Sequence, residues 1–372
     1  MPKKFNVFLS CLFCAFLGGV FLLSALLPDK EFSPLENRYL QKAPAFSLNA
    51  LHYGDFVEDA EKYTADHIVG RDFWVALKAW CERLSGKPEN NGTYLAAGGA
   101  LINRLDEPDM DKLNKNIQHL NKLVSSTDLP VYFGLIPSAA SIWSDRLPAG
   151  APTADEQAII NDLYSRTDAV TVDLSSLLAE HAYEDIYYRT DHHWTSLGAY
   201  YGYAALMNAM GLNPVSLSDY EKNTVSEEFY GTIFSSSGVR WVSPDVIDIY
   251  VPEAGVEVTS YFTDKAEPGE LYVEKFLSEK DKYSYFLGGN QPLCIIKGQN
   301  TDAPKLLLVR DSYADSLAPF LSDSFSEVHL FDLRYNRTSL SSYIEENGID
   351  QVAVLYSISN FATDSNLFLL SR

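Results

Sequence analysis

"KLLLVRDSYADS", residues 305–316, is the stretch whose reading decides the fold. Leu306 to Val309 are consecutive apolar residues in a run too short for a helix, which suits a short buried strand. The run passes directly into Asp311, Ser312 and Tyr313, and then into a helical pattern near Ala314 to Leu321. A strand feeding a helix through a tight turn is the repeating unit of α/β sheets. It places Ser312 at the carboxyl edge of the sheet, where open sheets of this class carry their sites.

The same rhythm extends outward in both directions. Downstream, "SEVHLFDL" and "QVAVLYS" read as two further strands, with a helical pattern from Ser339 to Asn347 between them. Upstream, a helix from Met110 to Ser125 leads into the run "LPVYFGLIP", then a helix from Ala154 to Tyr164 and the run "AVTVDLSSLL". Helices alternating with short buried strands predict a parallel sheet over residues 108–372. Within it, residues 213–303 break the rhythm with short aromatic and β-branched runs, and read as a β-rich insertion. The helix "SLGAYYGYAALMNAM" is expected to start on Thr195 or Ser196 as its N-cap and to stop at Gly211, with Pro214 beyond.

Residues 29–107 form a different region. Asp29 to Ala45 looks like an extended, proline-marked linker, and Asn49 to Leu84 is helical in period with a break at Gly70. "NNGTYLAAGGALI" has hairpin chemistry. Ahead of this, Lys3 and Lys4 precede an uncharged apolar run from Val7 to Leu27, close to the roughly 20 residues a spanning helix needs. The run exceeds a usual signal-peptide core and lacks a small-x-small cleavage site, so residues 1–28 are expected to be an uncleaved signal anchor rather than a cleaved signal. With the lysines inside, the rest of the chain lies outside the cell membrane as a single-pass protein; the alternative is secretion after cleavage.

Composition limits the functions. Of 372 residues, 46% are hydrophobic, enough for a sizeable core, and the net charge is −21. So acidic a chain is not built to bind nucleic acid, which calls for clustered Lys and Arg. Cys11 and Cys14 fall in the apolar run, leaving Cys81 and Cys294 as one conceivable disulfide and no zinc-type cluster.

The second unusual stretch is "RTDHHWTSLGAY", residues 189–200, which holds two of only seven histidines. If the residues before the helix are extended, Asp191 and His193 face one way and His192 the other. A carboxylate beside an imidazole fixes its tautomer and supports the imidazolium, as a general base requires. The competing readings are a polar lead-in to the helix and a metal site, the latter disfavoured because adjacent histidines share one ion poorly. Asn360 in "VLYSISNF" follows a strand as Ser312 does, and its amide suits an oxyanion contact or an Asx turn. Ser312 read alone suits an Asp/Ser helix cap equally, but Ser312, His193 with Asp191, and Asn360 are each expected at the carboxyl end of a strand in one sheet and so can converge as nucleophile, oriented base and oxyanion donor. No G-x-S-x-G elbow is present.

"YYRTDHHWTSLGAY", "VRDSYA" and "FLGGN", together with "ENRYL" and "GKPENNGTYL", resemble the DHHW protein family. More distantly the chain is similar to the alginate O-acetylation proteins AlgJ and AlgX, with their SGNH-hydrolase-like domain. The resemblance implies Ser312 as nucleophile, His193 as base and Asp191 as its partner. It also implies a flavodoxin-like parallel sheet in circularly permuted order, since Asp and His precede the serine here. Asn360 then falls at the SGNH asparagine, while "FDLRYN" offers Arg334 where a glycine is expected. Arg334, Asn290 of "FLGGN" and Tyr313 are the remaining candidate substrate contacts. The implied activity is O-acetylation of a cell-surface or exported polysaccharide without a cofactor, supplied by a membrane-bound O-acyltransferase partner. The alternatives are a carbohydrate acetyl esterase with the same triad, and a non-catalytic envelope protein binding glycan through Tyr230, Trp241 and Tyr285.

Overall fold

The structure, a computed structural model, describes residues 3–252, 255–263 and 265–372. Internal contacts gather the chain into two units, one of residues up to 91 with 234–241, the other of residues 92–233 with 242–372.

The first unit begins with α1 (Lys3–Leu26), which buries none of its residues and, at a mean hydropathy of 2.4, is long and apolar enough to cross a membrane. The strands β1 (Phe32–Ser33) and β2 (Arg38–Tyr39) pair antiparallel. Their turn carries "ENRYL", in which Glu36 accepts from Arg71 at 2.6 Å and Arg38 grips the buried Asp66. Three helices follow, α2 (Leu48–Tyr53), α3 (Asp55–His67) and α4 (Arg71–Leu84), and then β3 (Glu89–Asn90). The break expected at Gly70 is there, with φ 69°. Trp80 on α4 stacks on Trp241, ring centroids 4.2 Å apart.

In the second unit β4 (Thr93–Leu95) and β5 (Leu101–Asn103) form a hairpin closed across Ala96 and Ala100. Then come α5 (Met110–Ser125), β6 (Val131–Ile136), α6 (Ala139–Ile142), α7 (Glu156–Tyr164), β7 (Val170–Val172), α8 (Leu174–Glu180) and α9 (Ser196–Ala209). The run "AVTVDLSSLL" is therefore strand only at its start: Asp173 accepts from the Ser176 N–H and caps a helix over the rest. The remaining elements are β8 (Glu221–Phe229), α10 (Thr232–Ser237), β9 (Asp245–Val251), β10 (Glu257–Tyr261), β11 (Glu267–Gly269), β12 (Leu293–Lys297), β13 (Lys305–Arg310), α11 (Ala318–Leu321), β14 (Glu327–Phe331), α12 (Leu340–Asn347), β15 (Gln351–Ser357) and α13 (Ile358–Thr363).

The central sheet has the order β11-β10-β12-β14-β13-β15-β6-β7. Its last five strands are parallel, while β10, β11 and β12 add to it antiparallel. Three strands of the stretch read as an insertion thus extend the main sheet, while β8 and β9 pair separately. Strand alternation explains why β13 is apolar at every central position. Leu306 and Leu308 enter the core under α8 and α9, whereas Leu307 and Val309 enter the opposite core under α5, α7 and α12. A parallel strand covered by helices on both faces has no polar side. Trimming one such leucine to alanine costs about 2–5 kcal/mol. Because β13, β15 and β6 run parallel in neighbouring positions, Ser312, Ser357 and Ser138 all leave the sheet at one edge.

Candidate active site

Beyond β13 the chain turns at once. Asp311 accepts the Tyr313 N–H at 3.1 Å and caps a single 3₁₀ turn, Ser312 to Asp315, so the helical pattern expected from Ala314 is a turn followed by the short α11. The other oxygen of Asp311 accepts from the Ser357 N–H, the Ser357 hydroxyl and the Asn360 amide, each at 2.8 Å. Asp311 thereby laces the ends of β13 and β15 together. Asn360 does lie at the predicted edge, but one of its amide N–H groups is spent on Asp311.

The histidine stretch comes from the other side. Thr195 N–H donates to the Ile186 carbonyl and Tyr188 N–H to the His193 carbonyl, at 2.9 and 3.2 Å, so residues 189–192 form a loop rather than an extended lead-in. Thr195 is the N-cap of α9. Asp191 and His193 still face together, for a different reason: the His193 N–H donates to Asp191 Oδ1 at 3.0 Å, an Asx turn. The expectation that His192 turns away is corrected by the same loop. Its ring lies against His193 at 3.9 Å between centroids.

The resulting geometry is a continuous hydrogen-bonded series, called the relay for its shape. His193 Nδ1–H donates to Asp191 Oδ1 at 2.6 Å, which leaves Nε2 to accept from the Ser312 hydroxyl at 2.8 Å. All three side chains are buried. Asp191 Oδ2 accepts from the Thr232 N–H at 2.7 Å and the Thr232 hydroxyl at 2.9 Å. Burial opposes the Asp191 charge, but His192, His193 and the Thr232 amide outweigh it and hold the carboxyl well below the usual carboxylate range. The carboxylate therefore stays ionised and orients the imidazole.

Aromatic rings fix the rest. Tyr283 stacks on His193 at 3.8 Å and 8°, and its hydroxyl donates to the Ser312 carbonyl at 3.1 Å. Tyr313 donates its hydroxyl to the His192 carbonyl, and burial keeps both phenols protonated. Trp194 Nε1–H donates to the Tyr313 carbonyl at 2.9 Å. Asp311 stands in the turn read from the sequence and caps it, whereas Thr232 and Tyr283 are not legible as site residues; near Thr232 the sequence offers Gly-Thr at 231–232. Gly231 is required there, because a Cβ would sit 2.2 Å from the Asp191 Cβ.

Arg334 and Asn290 are brought together, but on each other: Arg334 holds the buried Asp332 at 2.7 Å and Asn290 Oδ1 at 2.9 Å. Neither bonds to Ser312, His193 or Asp191 among the described residues. Beneath the serine turn, the fully buried Arg310 pairs with Asp315 at 2.9 Å. Burial pushes Asp315 up to about 6 in spite of that pairing. Of the aromatics considered for glycan, Tyr285 is buried against Tyr272 and Trp241 is stacked on Trp80.

A cavity of 140 Å³ opens beside the relay, lined by Ser138, Asp191, His192, Tyr313, Ser357 and Asn360 among others. A larger cavity of 350 Å³ belongs to the first unit, where Asp66 and Arg71 face each other at 3.6 Å, and its lining includes none of Ser312, His193 and Asp191. Size does not locate the chemistry. Donor atoms of Asp191, His192 and His193 lie within 4.8 Å of one another. Both Asp191 oxygens and both His193 nitrogens are already hydrogen-bonded, however, so a metal would have to dismantle the relay to bind.

A family model described as "DHHW protein" matches residues 117–331, more than half of the chain. Among solved structures, a DHHW family protein from Eubacterium siraeum is 26% identical, covering 76% of this chain and 95% of that one at a TM-score of 0.68. Bacillus cereus PatB1, solved with a sulfonyl adduct, is 23% identical, covering 73% of this chain and 96% of that one at a TM-score of 0.63. The O-acetyltransferase domain of Pseudomonas putida AlgJ is 15% identical, covering 73% of this chain and 93% of that one at a TM-score of 0.45. No curated protein matches.

Proposed function

The chain belongs to the DHHW family, and from the site it builds we propose that it is a serine-dependent O-acetyltransferase acting on a cell-surface or exported glycan. The observation that carries the reading is the unbroken series Ser312 hydroxyl, His193 imidazole, Asp191 carboxylate, with contacts of 2.8 and 2.6 Å. Ser312 Oγ attacks the acyl carbonyl carbon while His193 Nε2 takes its proton and passes it to the departing group. The acetyl-serine is then attacked by a sugar hydroxyl, whose proton goes to His193 and on to Ser312 Oγ as the C–O bond to serine breaks. The Ser312 N–H, at the head of its 3₁₀ turn, has no acceptor within that turn and is assigned to the oxyanion, and the second Asn360 N–H is assigned to the same oxygen.

The residues support acyl transfer; the acetyl group and the carbohydrate acceptor are inferred from the resemblance of the motif to the alginate O-acetylation proteins. So do the membrane-bound partner that delivers acetyl groups and the extracytoplasmic placement, for which α1 supplies a signal anchor or signal sequence. Counted from the serine strand, β13, β14, β15, β6 and β7 stand in the order 2-1-3-4-5. That is the flavodoxin-like order, and it supports reading the domain as a circularly permuted SGNH-type sheet.

The test is intact-mass detection of an acetyl adduct after exposure to an activated acetyl ester. The adduct is expected on Ser312, absent in Ser312→Ala and strongly reduced in His193→Ala; an adduct that survives Ser312→Ala overturns the proposal. Turnover that rises with added glycan marks a transferase, and turnover indifferent to glycan marks an esterase.

A further inference from the structure

His192 has a hydrogen bond whose direction can be worked out. Thr232 Oγ1 lies 2.9 Å from Asp191 Oδ2 and 2.7 Å from His192 Nδ1. A carboxylate only accepts, so the one hydroxyl proton of Thr232 goes to Asp191, and the contact to His192 requires a proton on Nδ1. In the neutral ring Nε2 is then a bare lone pair. Burial and neighbouring His193 push His192 below the usual imidazole range, solvent at its 38% exposed side chain softening but not reversing the effect, so the neutral ring prevails near pH 7. Nε2 has no hydrogen-bond partner among the described residues, and His192 lines the cavity beside Ser312.

This lone pair stands next to the working base, with the two imidazole centroids 3.9 Å apart and 36° between their planes. During transfer the attacking hydroxyl has a single proton, which must go to His193 Nε2. A second imidazole acceptor cannot share it and has to be met by another hydroxyl of the same acceptor. The geometry points to His192 as the acceptor-binding residue: its Nε2 takes a hydrogen bond from the hydroxyl adjacent to the one His193 deprotonates, which makes the substrate class a vicinal diol. This rests on Ser312 forming the acyl-enzyme. Tyr313, whose hydroxyl is bound to the His192 carbonyl, fixes the residue in place.

Two substitutions separate this role from that of a strut for Thr232. In His192→Asn the amide nitrogen reaches the Nδ1 position, keeping the donor to Thr232 and deleting the Nε2 acceptor. His192→Gln does the reverse, placing an amide oxygen near Nε2. The full chain in a detergent without sugar headgroups is acetylated with p-nitrophenyl acetate, and acyl-enzyme partitioning is measured between water and either trans-1,2-cyclohexanediol or cyclohexanol. The wild type is expected to favour the diol by about tenfold, the value of one such hydrogen bond. His192→Asn should bring the two alcohols to parity, and His192→Gln should retain part of the preference. Equal use of both alcohols by the wild type, or an unchanged preference in His192→Asn, overturns the inference. Absence of any acetyl-Ser312 in the wild type overturns the acyl-enzyme and this inference with it.

Discussion

Glu156 allows a stability prediction with a worked magnitude. It opens α7 with 3% of its surface exposed, and its two oxygens accept the Ser138 N–H and the Ser138 hydroxyl, each at 2.7 Å. Ser138 in turn lines the cavity beside the relay. Burial pushes the carboxyl up from 4.5 to about 7, the two Ser138 bonds offsetting only part of the effect. The difference of 7 − 4.5 = 2.5 pH units corresponds to roughly 3 kcal/mol. For its sign, the folded state holds this proton more tightly than the unfolded chain. The stabilising contribution is therefore complete below pH 4.5, declines as pH rises through the interval, and is gone once pH exceeds about 7. Glu156→Gln removes the titration while keeping both contacts: the amide oxygen accepts the Ser138 N–H and the amide nitrogen donates to the hydroxyl. Its stability relative to wild type should climb between pH 5 and pH 8 by on the order of 3 kcal/mol. Hydrogen exchange of β13 and β15 amides in the full chain reports the second unit alone, and taking the difference between the two proteins cancels every other titrating group. Identical pH slopes for the two proteins would refute the reasoning.

Three further outcomes are expected. Gly231→Ala puts a methyl 2.2 Å from the Asp191 Cβ and 2.3 Å from its Oδ2, so acetylation of Ser312, followed by mass, should slow at least about a hundredfold; a near-normal rate refutes the tight fit. Arg310→Leu strands the buried Asp315, since Asp332 keeps Arg334, and denaturation should show a loss of about 3–5 kcal/mol, while a loss below about 1 kcal/mol would mean the pair is not charged. A maleimide should label the exposed Cys81 in the native protein and reach Cys294 only after unfolding, because burial leaves that thiol inaccessible and pushes it up to about 12; labelling of native Cys294 refutes the packing of β12.

What the sequence made legible was whatever short-range pattern determines. The apolar run at 306–309 reports two covered faces because alternation sends successive leucines to opposite cores, and the position of Ser312 at the sheet edge follows from the run's end. Partners set by irregular loops were not visible. Thr232 reaches Asp191 from the start of α10, 41 residues on, and no periodicity encodes that approach. An extended backbone misplaces His192, because Asp191 closes an Asx turn there, and Asp two residues ahead of a donor is a turn signal that local chemistry offers. Asn360 was placed at the right edge, yet its first bond goes to Asp311. A side chain's address follows from topology, but its partner depends on which acceptor is nearest.

The contiguity of Asp-His-His-Trp also has a physical cause. Asp191 and His193 are held by a turn only three residues long, which fixes them to each other but not to a serine 119 residues away. That second coupling belongs to Trp194. Its buried indole N–H binds the Tyr313 carbonyl at 2.9 Å and the Ser316 hydroxyl at 3.1 Å, so it clamps the very turn that presents Ser312. Gly202 on α9 makes room for the ring, since a Cβ there would lie 2.5 Å from it. Orienting a base and registering it against its nucleophile are separate tasks, and the proposed acyl transfer needs both within a few tenths of an ångström. Placing the clamp next to the base in sequence makes one rigid segment perform the two together, so a displacement of α9 carries base and serine turn along as one body.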